Sequence, residues 1–464
     1  MTLGMKFLAF FLTVRVARDL QAEGLGLYSF LLSYVLLVVA FGDLGISSLV
    51  IREYARDRSL ITKSFYDVLG IKCFLFILVY IFSFPLIGVL GKASPTLYLG
   101  LLFFLSAFAI FSFGDYIRCI FDSQQKMHYQ AVIELIRQSL VVGICLLFLG
   151  LGYGVVSLGV GYLIANSITA LIWVVCFRIK FGMVPYKIDF STWKPWIKRG
   201  TPFFLMALFG IIQYHIDTIL LNVFSPFHEQ SVGYFRAAFN IIMVLVTVGA
   251  VLTKSFLPVF STLYAQGDPK LSKVFSQALK YFFMAGLPLS VGGMLVADKI
   301  ILFIYGDAYL SSVQPFLYLS MTVLLVFCYG LANTLLLAMN KEYFSLVVFI
   351  IGSFVNIVLN ILLIPRFDVL GSCWATLAAK LFILVMLGIW CYKMLGGFSF
   401  TTVALKTSAA TFVMALVVIL LKGHIHLLIL LCVAVILYAA IALLIGLVGR
   451  EETDLIKKVF RPVG

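Results

Sequence analysis

Charge is scarce in this chain: only 12% of its 464 residues are Asp, Glu, Lys or Arg, while 63% are hydrophobic. A soluble domain is about one quarter charged. So little polar surface excludes a soluble enzyme of this size, because the apolar remainder would form exposed patches that only lipid can cover. Acidic residues are scarcer still, 20 Asp+Glu against 34 Lys+Arg, for a net charge of +14. In a soluble protein that excess would point to nucleic acid; in a membrane protein it reads first as topology, and no nucleic-acid partner is expected. The eight cysteines stand singly with no CxxC pair, which argues against a disulfide framework. His424 and His426 have no third ligand nearby, so no metal site is expected. Long outer loops are also missing, the largest being 298–311 with 14 residues. There is no room for an extramembrane catalytic domain, and no catalytic triad, Gly-rich phosphate loop or nucleotide site is apparent.

What is present is a succession of apolar runs of bilayer-spanning length, at about 25–50, 68–90, 96–114, 132–151, 155–177, 201–224, 232–257, 277–297, 312–338, 344–364, 369–391, 402–421 and 427–448. A fourteenth, residues 1–14, reaches only about 21 Å at the helical rise against a core of about 30 Å. Either this helix is short or the chain begins upstream; a cleaved signal peptide is disfavoured because no small-residue cleavage site follows. The pattern predicts an all-α polytopic membrane protein of about 14 transmembrane helices. Its parts are an N-terminal six-helix lobe (1–177), a basic cytoplasmic linker (178–200), a C-terminal six-helix lobe (201–391), two extra helices (402–448) and a cytoplasmic amphipathic tail (449–464). With this count, 20 of the basic residues fall in loops and tail on the side of the N-terminus and 6 on the other, which puts both termini in the cytoplasm.

The remaining eight, Lys6, Lys72, Arg137, Arg236, Lys254, Lys280, Lys380 and Lys406, fall within or at the ends of helices. A cation at the bilayer centre costs about 2.5–3.5 kcal/mol even on lenient scales, so these are expected to face a bundle interior or a wet cavity, or to snorkel. Gly26-Leu27-Tyr28-Ser29-Phe30 on the second helix matches Gly233-Tyr234-Phe235-Arg236-Ala237 on the eighth, an offset of 207 residues. Two groups of six helices in the same orientation are the parallel-repeat plan of secondary transporters, with a pseudo-twofold axis along the membrane normal. At 100° per residue, Arg236, Asn240, Thr247 and Lys254 share one face of the eighth helix; the matching positions of the second are Ser29, Ser33, Ala40 and Ser47. Gln213 and Asp217 share a face of the seventh helix, with His215 on the other. Asp217 and Arg236 are placed at similar depth to pair, either to neutralise a buried charge or to handle substrate or protons. His215 reads as a packing histidine, Glu134 and Arg137 as a local ion pair, and Asn356 and Asn360 as interhelical hydrogen-bond glue.

These residues resemble a known family over essentially the whole chain: the polysaccharide-transport, Wzx-type oligosaccharide (O-antigen) flippase branch of the multidrug/oligosaccharidyl-lipid/polysaccharide exporter superfamily. The resemblance is carried by Ala17-Arg18, Glu23-Gly24-Leu25-Gly26-Leu27-Tyr28-Ser29, Phe41-Gly42-Asp43-Leu44-Gly45-Ile46, Arg52-Glu53-Tyr54-Ala55-Arg56, Val232-Gly233-Tyr234 with Ala237-Ala238, and Leu257-Pro258. Ile304-Tyr305-Gly306-Asp307-Ala308-Tyr309, Asn360 to Pro365 and Gly371-Ser372-Cys373-Trp374-Ala375-Thr376 complete it. It implies passage of an undecaprenyl-pyrophosphate-linked glycan from inner to outer leaflet of the bacterial cytoplasmic membrane by alternating access, for cell-surface polysaccharide biosynthesis. It implies a cavity at or near Arg18, Arg52, Asp217, Arg236 and Lys254, to which the polar faces add Gln213 and Asn240. The implied partners are the lipid-linked oligosaccharide, membrane lipids and a glycan polymerase. No cofactor is implied; energy input would come from a coupling ion or the membrane potential. Two departures stand out, the short first helix and Lys380 where members often carry an acid. The alternatives are a multidrug exporter of the same superfamily, disfavoured by the mostly basic candidates, and a membrane glycan polymerase or ligase, disfavoured by the short outer loops.

Overall fold

The computed structural model describes residues 2–90, 94–182, 184–186, 188–397 and 401–447. Lys92, Lys187 and the tail 449–464, with Arg450, Lys457, Lys458 and Arg461, lie outside the described residues. The chain is all helical there: α1 (Thr2–Asp43), α2 (Ile46–Arg56), α3 (Leu60–Lys63), α4 (Phe65–Leu90), α5 (Pro95–Ser123), α6 (Met127–Gly150), α7 (Val155–Phe181), α8 (Trp193–Phe224), α9 (Glu229–Ser255), α10 (Leu257–Ala265), α11 (Lys270–Leu295), α12 (Ala297–Tyr305), α13 (Val313–Ala338), α14 (Glu342–Met394), α15 (Thr401–Leu421) and α16 (Leu427–Leu444).

Twelve helical segments among the described residues are long and apolar enough to cross a bilayer. Two of them are broken midway: α1 at Gln21 (φ 58°) and α14 at Asp368 (φ 50°). Each half spans about 28 Å or more at the helical rise, so each long segment supplies two crossings and the crossings number fourteen. The second break is tight. A Cβ at Gly371 would lie 2.5 Å from the Leu363 carbonyl oxygen, so only glycine lets the two halves of α14 run back alongside each other.

Several boundaries differ from the hydropathy reading. The first helix does not end at residue 14. Val16 and Ala17 are buried and Arg15 pairs with Asp19 at 2.9 Å one turn on, so the helix runs to Leu20 and carries Arg15 and Arg18 within it. The second crossing stops at Asp43; Leu44 (φ 44°) and Gly45 (φ 74°) turn the chain into the amphipathic α2. The fourth runs to Ser123 instead of 114, because Arg118 is held by Asp115 (2.7 Å) and Asp122 at helical spacing. The seventh begins at Trp193, eight residues early: Trp196 is buried, and Gly200 lies so close to Leu44 that a Cβ there would come within 2.6 Å of its carbonyl oxygen.

The chain divides into two compact units, Met1–Ala237 with Ser353–Ser372, and Ala238–Gly352 with Cys373–Gly464. Within the first unit the repeat takes physical form. A side chain at Gly26 would overlap the backbone carbonyl of Glu229, and one at Gly233 would overlap that of Ala22. Positions 22 and 229, like 26 and 233, lie 207 apart. The same backbone-to-backbone contact is therefore made twice with its roles exchanged, as a twofold axis requires.

An ion pair with a buried lysine also braces this unit. Lys72 on α4, wholly buried, donates to Asp43 Oδ1 at 2.5 Å, Ser47 Oγ at 3.1 Å and Ser112 Oγ at 3.0 Å, tying α1, α2 and α5 together. Removing the lysine strands a carboxylate that is partly exposed and still bonded by Ser47, at a cost below the about 3–5 kcal/mol of a fully buried pair. Lys72→Met is therefore expected to lower the melting temperature in detergent, and the double variant with Asp43→Asn to recover much of the loss.

Candidate functional site

The first unit brings three helices to one buried cation. Arg236, 7% exposed on α9, donates from Nε to Thr218 Oγ1 at 2.6 Å, and from Nη2 to Ser33 Oγ at 2.6 Å and His215 Nδ1 at 3.0 Å. Ser33 Oγ is itself 3.0 Å from His215 Nδ1. Thr218 and His215 share α8, and Ser33 lies on the second half of α1. Charge-assisted hydrogen bonds of this kind contribute about 1.5–3 kcal/mol each, enough to hold a guanidinium out of bulk water. These three acceptors are two hydroxyls and an imidazole.

Asp217, one residue before Thr218, is 1% exposed and turns to another set of partners. Its Oδ1 accepts from Asn360 Nδ2 at 2.7 Å and Asn356 Nδ2 at 3.1 Å, on the first half of α14. The two asparagines thus bond across helices, and their target is the acid. Asp217 and Arg236, read from the sequence as a pair, hold the partners just named: amides for the acid, hydroxyls and an imidazole for the arginine. Among the described residues there is no cluster of three or more His, Cys, Asp or Glu side chains able to hold a metal ion.

The remaining sequence candidates are dispersed. Arg18 is exposed near the end of the first half of α1. Arg52 is exposed on α2, bonded to Glu53 Oε1 at 3.1 Å and 5.1 Å over the Phe203 ring. Gln213 is half-buried on α8, its Nε2 buried without a hydrogen-bond partner among the described residues. Asn240 is half-buried and Lys254 exposed, both on the part of α9 that belongs to the second unit. In that unit Lys380 is 9% exposed, with Nζ 5.6 Å over the Phe239 ring.

Sequence reading missed Ser33, Thr218 and His215 as partners of Arg236. Ser33 carried a signal, since the repeat pairs it with Asn240; the other two carried none. His215 is more than a packing residue, because it accepts from the cation. By contrast, the other helix-borne arginine singled out from sequence is carboxylate-bound as expected: Arg137 grips Glu134 through Nη2–Oε1 (2.5 Å) and Nε–Oε2 (2.8 Å).

A second cationic feature ties α2, outside the spanning segments, to the first turns of α8. Glu53 Oε2 accepts from Arg199 at 2.5 Å, and although burial works against the carboxylate, Arg199 and Arg52 hold its pKa below the usual range. A depressed folded-state value means the stabilisation is full above the ordinary glutamate pKa of about 4.3 and disappears as pH falls through the lower folded value. Glu53→Gln is expected to lose about 1 kcal/mol at pH 7. In thermal melts from pH 7 down to 3 the gap between the variant and the wild type should close.

Fourteen crossings among the described residues, a twofold repeat built on Gly26 and Gly233, and a buried polar cluster define a polytopic all-helical membrane fold. Solved structures share it: "Lipid II flippase MurJ, inward closed conformation" superposes with a TM-score of 0.81 at 18% identity, covering 98% of each chain. An inward-facing multidrug resistance MATE family transporter of the MOP superfamily gives 0.69 at 16% identity, covering 85% of this chain and 94% of that one. Residues 1–264 match the model of the polysaccharide biosynthesis protein family, and the chain belongs to that family. A curated relative, "Probable flippase AglR" of Haloferax volcanii, is 29% identical over 232 residues, 49% of this chain and 47% of that protein. The chain thus spans about half the length of that relative.

Proposed function

We propose that this multi-pass membrane protein is a flippase that carries an undecaprenyl-pyrophosphate-linked oligosaccharide from the inner to the outer leaflet of the bacterial cytoplasmic membrane by alternating access. Both termini are cytoplasmic in this reading, the lobes 1–177 and 201–391 are its moving parts, and cell-surface polysaccharide biosynthesis, with a glycan polymerase downstream, is its purpose. The observation that carries it is Arg236: a buried cation oriented by hydroxyls and an imidazole in a transporter fold is suited to a mobile anion. The family and the flippases among its structural and sequence relatives support the same reading.

The physics fits the cargo. A lipid-linked pyrophosphate joins at least two negative charges to a polar glycan, and placing both in hydrocarbon is prohibitive. Fixed donors and cations of the first unit, Arg236 foremost, would replace the lost hydration, with no covalent step. The multidrug-exporter reading is weaker because cationic drugs call for acidic linings.

Reconstitution tests it. Proteoliposomes loaded with fluorescent prenyl-pyrophosphate oligosaccharide on one leaflet should show label crossing, followed by membrane-impermeant quenching, at rates well above those of protein-free vesicles. Transport of cationic dyes with no movement of the labelled lipid would favour the exporter.

A further inference from the structure

The contacts of Arg236 settle which proton His215 lacks. A guanidinium only donates, so Nδ1 of His215, 3.0 Å from Nη2, is acting as an acceptor and carries no hydrogen. The imidazole is therefore neutral, with its hydrogen on Nε2, and the Ser33 hydroxyl, accepting from Nη2 at 2.6 Å, is placed to donate its own hydrogen to Nδ1 at 3.0 Å. The charged groups acting on the ring are Arg236 from α9 and Lys6 from the first half of α1. Ser33, from the second half, contributes a hydroxyl. Asp217, two residues along the same helix, is turned to Asn356 and Asn360 of α14. His215 is half-buried.

We propose that His215 makes anion binding at Arg236 proton-linked, an inference that rests on the anion-carrier reading above. In the unloaded state the imidazole is neutral and its Nδ1 is occupied by an Arg236 N–H. An arriving pyrophosphate reverses the local field, and Nδ1 takes one proton from solution to give imidazolium. Two donors cannot face each other, so the Arg236 N–H leaves Nδ1 and turns to the anion. The Ser33 hydroxyl rotates to accept from the new Nδ1–H. One proton taken up thus adds a positive charge and releases a guanidinium donor at the same site. By reciprocity, lower pH tightens anion binding as much as the anion favours the proton.

The test uses the full chain in lipid nanodiscs and inorganic pyrophosphate as probe. Calorimetric titration in buffers of different ionisation enthalpy counts protons bound per anion. The wild type should take up as much as one proton more than the titration of pyrophosphate itself accounts for. His215→Gln, which keeps an acceptor for Arg236 but does not titrate, should show no excess. The ratio of wild-type to H215Q affinity, in which the ligand's own titration cancels, should rise by up to about tenfold per pH unit as pH falls. Equal proton counts with binding intact overturn the proton linkage alone. No pyrophosphate binding by either protein overturns the anion site and the linkage with it. The wild-type proton excess needs no variant, so a failure of H215Q to fold leaves the proposal exposed to contradiction.

Discussion

Replacing Arg236 by alanine is expected to cut transport of the lipid-linked pyrophosphate at least about 30-fold while leaving a folded protein in the membrane. Truncating one partner of a buried, hydrogen-bonded charge pair costs about 2–5 kcal/mol, and 1.4 kcal/mol is a factor of ten. The fold should survive because Ser33, Thr218 and His215 all lie on the first unit's own helices and the hydroxyl–imidazole contact at 3.0 Å remains. Arg236→Lys keeps the charge but lacks the planar fork that serves Thr218 from Nε and Ser33 from Nη2, so it should fall between. Initial rates in proteoliposomes, read beside size-exclusion profiles of the same samples, check both halves of the expectation. Wild-type rates in R236A would remove this residue from the transport path.

The second large effect is structural. Gly26→Val and Gly233→Val should each yield little or no folded protein, because the new side chain meets a backbone carbonyl that cannot move aside: Glu229 in one case and Ala22 in the other. Overpacking against side chains typically costs about 1–3 kcal/mol, and here the obstacle is main chain. Gly143→Ala is the control. A Cβ added at this position on α6 would meet nothing within 4 Å, so that change should be neutral or slightly stabilising through helix propensity. Fluorescence-detected size-exclusion chromatography separates the outcomes. Equal behaviour of the two Val variants is the sharper expectation, since the contact is the same one made twice.

The crossings were legible because hydrocarbon demands about 20 apolar residues whatever the fold around them. The errors came where charge and helix coexist. Asp115, Arg118 and Asp122 end the apolar run after 114, yet they satisfy one another at helical spacing and the helix continues. Arg15 and Asp19 hid the end of the first crossing in the same way. The polar face of Arg236 was legible from its 100° periodicity, and the 207-residue repeat from Gly26 and Gly233. The partners were not: Ser33 lies 203 positions from Arg236, and Asn356 lies 139 from Asp217. No local pattern encodes contacts at that separation. Lys72 was visible as a cation in an apolar run, but only packing reveals that Asp43 and two serines hold it.

The central claim is that the cargo is a polyprenyl-pyrophosphate glycan moved between leaflets. Deletion of the gene, followed by extraction of polyprenyl-linked lipids and assay of their leaflet, tests it most directly. The account predicts intact undecaprenyl-linked oligosaccharide trapped on the cytoplasmic side with surface polysaccharide lost, both restored by the wild-type gene and not by R236A. Normal surface glycan with no trapped lipid intermediate, or single repeat units accumulating on the outer face, would contradict it.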